Sequence, residues 1–566
     1  MKFFKLYSLA LAGALMLGAC SSSDDLKDGG ANVNDKAYLA IRINNVGSVA
    51  GSRATTGDYE NGTNDENHIE SVRFYFFNSD GTPYILKKDG QSTGKNWLEK
   101  TDNLNTEDKQ NPNVSMISNP LLVIEGNTGA SPAAMIAVIN PNSLDGDKLG
   151  DGAKTLDAVK RSSIYSTFYT TDHKNFVMSN SVFVANGVEK CASIVTGYVA
   201  TDPDKAKENP VDLYVERVVA KVKPTIDVKY QADHGRTWTT IKGKDAMKVG
   251  VYGTNDIYAV VDGWGVADEN GKAELVKQVN TTWNDELLGI NVWTSSDYHR
   301  CFWSSSVAFS AGSGSEGNPP VNHTYKDYAE RQLTDCVYTL PNTPTGEEKE
   351  PYASNLTKML LATHLVYKDG EEYKNAEICQ YKGQQYLHID DVKKDVANNF
   401  AEYYIKKGNT RTKLQPSDIE FTTTVNGIKD YEVVATLRKL DTDETLQKKE
   451  GTTEEASSFK DVPKADLQTL MNAEPAQIRK DGMAYYYIPI RHLGDNKKKP
   501  GYYGIVRNHV YSINIQNMYG FGTPVFDPEK VIDPTIPSNA ATYLAARINV
   551  LSWRVVKQNA NLDATK

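Results

Sequence analysis

Large apolar side chains alternate with other residues from Ala37 to Asn44. Leu39, Ile41 and Ile43 fall on one face and Tyr38, Ala40, Arg42 and Asn44 on the other, the period-2 pattern of a half-buried strand. The same period returns at Val72, Phe74 and Phe76, with Arg73 and Tyr75 between them and an Asp80-Gly81 turn behind. LLVIEG (121–126) and the run from Ala133 to Pro141 predict two more buried strands, and NFVMSNSVFVANG predicts short ones. LDAVKRSSIYSTFYT between them reads as a loop with a helical turn. A long β-branched run follows from Val211 to Val228. Its Glu216-Arg217 break and its Pro224 predict a strand that leaves one domain and enters the next, which sets a domain boundary near Pro224.

The second half repeats the strand signal in LLATHLVYKDGEEY, DIEFTTTVNG, YEVVATLRKL, MAYYYIPIRHL and NHVYSINIQNMYG. Two stretches change the period to that of a helix. HIDDVKKDVANNFAEYYIKKG offers Asp390 or Asp391 as a cap, one face of Val392, Val396, Phe400 and Tyr403 or Tyr404, and Gly408 as a stop. KADLQTLMNA follows Pro463. Strands outnumber helices and turn clusters separate them, without an internal repeat of solenoid length. The expected fold is mainly β: two β-sandwich-like domains, the C-terminal one carrying a few helices and long loops.

The last segment, Ala546 to Gln558, mirrors the first. Leu551, Trp553 and Val555 share one face of an extended strand, and Ile548 and Val550 add apolar bulk. A tail this apolar is an aggregation hazard when loose. It packs either in its own domain or in a neighbour, and the pattern alone leaves both open.

Length changes this picture little: 566 residues exceed one core, so two or three domains are the default. A net charge of -9 argues against a nucleic-acid partner held by a basic footprint. Tyrosine, at 32 residues, outweighs phenylalanine at 15 and suits strands with one wet face. Of five cysteines, Cys191, Cys301, Cys336 and Cys379 lie far apart and form no C-x-x-C pair. That removes zinc and thioredoxin-type readings and leaves two disulfides or buried free thiols.

The N-terminus carries the most specific signal. Two lysines precede a short apolar core, LYSLALAGALMLGA, and Leu17-Gly18-Ala19-Cys20 closes it. That ending is similar to a bacterial lipobox, in which the cysteine becomes the first mature residue and its thiolate accepts a diacylglyceryl group. The alternative is an ordinary secretory signal with an accidental cysteine. Polar residues 21–36 form a tether. The loop VGSVAGSRATTGDYENG after the first strand is small, polar and glycine-rich, the composition of a protease-accessible segment, and carries Arg53. A cut there removes the first strand while leaving the rest of the chain whole.

Chemistry-bearing motifs are sparse. The nine histidines are scattered without metal-ligand spacing. Gly312 to Gly317 matches G-x-G-x-x-G, but Asn318-Pro319-Pro320 follows, so no helix starts there to hold a phosphate. No nucleophile elbow is present, and the carboxylates between Asp58 and Asn67 lack calcium-loop order. No metal, cofactor or catalytic residue is expected, although two acids from any two strands would suffice for a glycosidase pair.

Taken in order, LGAC, GSRATTGD, VRFYFFNSDG, YVERVVAKV, GIVRNHVYSINI and INVLSWRVV run nearly end to end. This ordered set resembles the fimbrillins of Bacteroidetes, subunits of type V pili, and within them the Mfa1-type major fimbrial subunit. The resemblance implies a precursor anchored in the outer membrane through lipid on Cys20 and an arginine-specific protease that cuts between Arg53 and Ala54. The strand carrying Leu39, Ile41 and Ile43 is lost. A donor strand from another copy, bearing Ile548, Val550, Leu551, Trp553 and Val555, fills the groove by β-augmentation. It further implies a head-to-tail filament at the cell surface, accessory anchor and tip subunits, and a role in adhesion. The corresponding division is 1–20 leader, 21–53 propeptide, 54–224 first domain, 225–545 second domain and 546–566 donor tail. The competing readings are a tip or anchor subunit, a glycan-binding lipoprotein that stays on Cys20, and an anchored hydrolase, for which no motif speaks.

Overall fold

The computed structural model describes residues 36–45, 62–102, 104, 116–118, 120–125, 131–141, 149–165, 175–185, 188–226, 237–279, 301, 303–311, 317–344, 355–423, 429–492, 501–534, 543–551 and 556–557. The first half supplies β1 (Lys36–Asn45), α1 (Asn64–Asn67), β2 (Val72–Phe77), β3 (Trp97–Lys100), β4 (Met116–Ser118), β5 (Leu121–Glu125), β6 (Ala134–Ile139), β7 (Met178–Asn180), α2 (Pro203–Glu208) and β8 (Val211–Arg217). They form one sheet in the order β3-β2-β6-β7-β8-β1-β4, with β5 also paired to β1. The first strand is therefore an interior strand.

One face of this sheet closes over Val72, Phe74, Phe76, Met135, Ala137, Leu213 and Val215. The other, with Tyr75, Phe77, Ile136 and Val138, packs on Ala273, Leu275, Val276 and Leu340 from the second half of the chain. All six side chains of β2 are consequently buried. Arg73, a polar position of the pattern, is stacked 4.0 Å from the Trp97 ring and paired with Glu99 at 3.0 Å, which satisfies its charge out of water.

The second half continues with β9 (Ala220–Ile226), β10 (Trp238–Ile241), β11 (Lys244–Tyr252), β12 (Asn255–Ala267), α3 (Tyr325–Glu330), β13 (Val337–Thr339), β14 (Lys358–Asp369), β15 (Glu372–Asn375), β16 (Met483–Pro489), β17 (Val510–Tyr519), β18 (Thr523–Pro524), β19 (Tyr543–Leu551) and β20 (Val556–Lys557). Two sheets result, β13-β9-β17-β19-β20 and β10-β11-β12-β14-β16-β18, with β15 a hairpin on β14. Between them lie Val222, Tyr511, Ile513 and Ile515 from one sheet and Trp264, Leu361, Tyr486 and Ile488 from the other, a sandwich core. The chain passes from the first sheet to this sandwich at Val218-Val219. Pro224 lies within β9, opposite Ile513 of β17. Strand β13 pairs with β9 only as far as Val222, so beyond it the flank is open and a residue without N–H costs no ladder bond there. Helix α3 lies backbone-close on β12. A Cβ on Gly263 would stand 2.3 Å from the Tyr328 carbonyl oxygen, which is why only glycine fits at this bulge.

Both longer helices sit in a body inserted between β15 and β16, with its own core of Cys379, Val392, Val396, Ile405, Val433, Leu446, Leu467 and Met471. α5 (Lys464–Asn472) begins directly after Pro463, as the pattern predicts. α4 is shorter than expected, Ile389–Asn399. Its cap is neither Asp390 nor Asp391: the Glu377 carboxylate accepts the Ile389 N–H at 2.8 Å. Tyr403–Lys407, expected to extend the helix, forms a strand between Thr410–Lys413 and Glu444–Lys449. A Tyr-Tyr-Ile run prefers that pleated surface, and a waiting strand partner overrides the helical spacing. Cys191, Cys301, Cys336 and Cys379 are all free thiols. Burial pushes Cys301 and Cys379 up to about 12, so both stay protonated and inert.

Candidate functional site: the first-strand slot and the junction behind it

Strand β1 is held on both sides by different partners along its length. Its second half runs parallel to β8, Ile41 opposite Val211 through Asn45 opposite Val215. Its first half runs antiparallel to β5, Lys36 opposite Glu125 through Ala40 opposite Leu121. Ile43 stands opposite both Leu213 and, across the strand, Ser118. The Ile41 N–H donates to the Pro120 carbonyl at 3.0 Å. Leu39 and Ile41 are 0% and 1% exposed, set among Leu122, Ile124, Leu213 and Val215. Taking β1 away would leave β8 and β5 with two unpaired backbone edges over an apolar floor. Helix α2 lies across β1 and β5 with Ala206 buried beneath it, and its first turn is capped by the Asp202 carboxylate.

After β1 the described residues resume at Gly62, directly before α1. Thr63 and Glu66 form a reciprocal capping box on α1. The Glu66 carboxylate pairs with Lys221 at 2.8 Å and also accepts the Tyr338 hydroxyl, both groups of the second sandwich. Arg217, the last residue of β8, donates from Nε to the Glu66 carbonyl at 2.8 Å and from Nη1 to Asn508 Oδ1 at 3.4 Å. One residue earlier, Glu216 accepts Lys277 Nζ at 2.7 Å, and both side chains are 1% exposed. Lys277 also donates to the Cys301 carbonyl, and Arg507 donates to the Leu275 and Glu274 carbonyls. The wall of the slot and the second sandwich are therefore bolted together through one strand end.

Burial raises the Glu66 carboxyl. The hydrogen bonds from Lys221 and Tyr338, with the Lys221 charge, outweigh it and hold the group below the ordinary glutamate range. The Lys277 ammonium is pulled down by burial against the pull of Glu216. A carboxyl lowered by folding contributes stability that is complete above its unfolded pKa and is lost as pH falls through the folded one. Thermal unfolding should therefore show an acid-side loss of stability beginning in the ordinary glutamate range. Glu66→Gln should remove part of that pH dependence; an unchanged profile would contradict the assignment.

The C-terminal strand lies at home in this chain. β19 pairs antiparallel with β17, from Tyr543 opposite Tyr519 to Leu551 opposite Val510, and β20 folds back on it. This places Ile548 opposite Ile513, Val550 opposite Tyr511 and Leu551 opposite Val510. Cys20, Arg53, Ala54, Trp553 and Val555 lie outside the described residues. Within residues 58–67, which lack calcium-loop order, Thr63-x-x-Glu66 is a helix start. Glu216 and Arg217, read as a break, are the junction. A charged pair in the middle of a β-branched run was the signal available for it.

Residues 37–217 match the family described as major fimbrial subunit protein (FimA). Residues 478–559 match the family described as major fimbrial subunit protein type IV, fimbrillin, C-terminal. No curated protein matches the chain. Among solved structures, a fimbrillin (FimA) of Porphyromonas gingivalis W83 is 12% identical over 92% of this chain and 98% of that one, with a TM-score of 0.35. The tip fimbrial protein Mfa3 of Porphyromonas gingivalis is 10% identical over 92% of this chain and 100% of that one, with a TM-score of 0.30. A fimbrial assembly protein of Parabacteroides distasonis is 12% identical over 62% and 87%, with a TM-score of 0.27.

Proposed function

The chain belongs to the fimbrillins, through a FimA segment and a fimbrillin C-terminal segment, and from that membership we propose that it is the shaft subunit of a cell-surface fimbria assembled by strand exchange. In this reading the precursor reaches the outer membrane as a lipoprotein on Cys20. An arginine-specific protease cuts after Arg53, so that Ala54 becomes the first residue and the strand with Leu39, Ile41 and Ile43 departs. The C-terminal strand of another copy, 546–558, then takes the vacated slot beside β8 and β5. The contact is head-to-tail and does not close on itself, so it propagates as a filament. Anchor and tip subunits terminate the filament, which serves adhesion. In this reading the first domain runs from Ala54 to the β8–β9 passage at Val218-Val219, a few residues before the expected boundary at Pro224, and the second runs from β9 to residue 545.

The observation that carries this reading is the placement of β1: an interior strand of the first sheet, with Leu39 and Ile41 in its core, joined to the rest of the fold through residues that include Arg53. Filling such a slot from outside recovers ladder bonds and apolar burial together. The donor, meanwhile, gives up its place on β17, so exchange trades one ladder for another.

Trp553→Asp tests the donor. A charge on the donor face cannot be placed over an apolar floor. The cut protein is expected to keep its far-ultraviolet signal and melting transition while forming no multimers on an unheated gel. Normal multimers would remove the tail from the donor role, and an unfolded monomer would assign the tail to its own core.

A further inference from the structure

The second sandwich holds a buried amine and a buried carboxyl in direct hydrogen-bond contact, outside everything the assembly reading uses. Asp268 follows the last residue of β12, and Ala267 is paired with Lys358, the first residue of β14. Lys358 Nζ lies 2.5 Å from Asp268 Oδ2, with both side chains 0% exposed. The other carboxyl oxygen, Oδ1, accepts Asn322 Nδ2 at 2.9 Å, and the Asp268 N–H donates to Asn322 Oδ1 at 2.7 Å, so the carboxyl plane is fixed. Thr357 Oγ1 donates to the Asp268 carbonyl at 2.9 Å and Lys358 Nζ to the Leu356 carbonyl at 3.0 Å. A third acid adjoins the pair. The segment 531–533 runs beside 322–324, with the Ile532 N–H on the His323 carbonyl at 2.9 Å, and the Asp533 charge acts on both Asp268 and Lys358. Apolar Ala267, Leu360, Tyr485 and Ile532 form a core alongside.

We propose that Asp268 and Lys358 join through a side-chain amide that cross-links the ends of β12 and β14. A salt bridge in such a site is poorly solvated as an ion pair. Burial raises the carboxyl of Asp268 and lowers the ammonium of Lys358, each against the pull of the other, toward a neutral acid beside a neutral amine. In that state the Lys358 nitrogen attacks Cγ of Asp268. The Nζ–Cγ bond forms, the Cγ–Oδ2 bond breaks, and the departing hydroxyl takes a proton from the attacking nitrogen and leaves as water. Nothing is oxidised or reduced. Asn322 Nδ2 stabilises the charge that grows on Oδ1, and the proton passes from the attacking nitrogen to the leaving oxygen. The bond closes a covalent loop over residues 269–357, which restricts the unfolded chain as a disulfide does without depending on the redox state of the surroundings.

The test is peptide mapping of the purified full chain after complete denaturation and trypsin digestion. The expected result is one branched species containing both the Asp268 and the Lys358 peptides, lighter than their sum by one water, with no cleavage after Lys358. Two separate peptides of unmodified mass would show a buried ion pair only and overturn the proposal. Loss of water within the Asp268 peptide alone would identify a succinimide and overturn it equally.

Discussion

Arg53→Ala is expected to yield a lipidated, folded monomer that forms no polymer. In the uncut chain β1 competes for its slot from the same molecule, at an effective concentration on the order of millimolar for a short tether. Its Leu39 and Ile41, both fully buried, contribute roughly 1.5–3 kcal/mol each in apolar burial, and the backbone edges of β8 and β5 are already paired. A donor strand from another copy offers similar bonds and must in addition leave β17 and lose its freedom as a separate molecule. The exchange is thus unfavourable until the competitor is gone. Quantitative gel or light-scattering comparison of Arg53→Ala with the native chain reads the effect directly. Polymer from the variant at native levels would mean that the slot can be filled without a cut at this arginine.

The second large effect is expected at Lys277. Removing this ammonium by Lys277→Ala leaves the Glu216 carboxylate buried at 1% exposure without the cation that pairs with it, a loss of about 3–5 kcal/mol. Glu216 belongs to β8, the wall of the slot, so the destabilisation should appear in the first sheet and in assembly alike. The double variant Glu216→Gln/Lys277→Met should recover most of the stability, since a buried pair replaced by well-packed neutral groups costs little. Urea denaturation of the two variants and the native chain decides this; equal midpoints for Lys277→Ala and the native chain would place the pair outside the load path between the two bodies.

Much of this architecture was written in local periodicity. The alternation at Leu39 and Ile41 identified a core-facing strand, and the Asp80-Gly81 turn stands behind β2 as expected, with Gly81 at φ 80°. What periodicity does not encode is the neighbour. Tyr403–Lys407 carried a helical spacing but found strands on both sides. Glu216 and Arg217 looked like an interruption because their partners, Lys277 and Asn508, lie far along the chain. The same holds for Asp268 and Lys358, ninety residues apart in sequence and unremarkable until two strands bring them together. The proposed assembly site could be read at its two ends because an alternating first strand and an apolar tail are local features. The polar junction behind it could not, being a property of packing.

The measurement that bears most directly on the account is native digestion of the soluble chain, lacking the lipid cysteine, with a trypsin-like protease. The product is run unheated on a denaturing gel and its new N-terminus is sequenced. The account predicts a ladder of stable multimers whose first residue is Ala54. A clean cut after Arg53 that yields monomer alone would contradict it, because an emptied slot would then have no use for the tail of another copy.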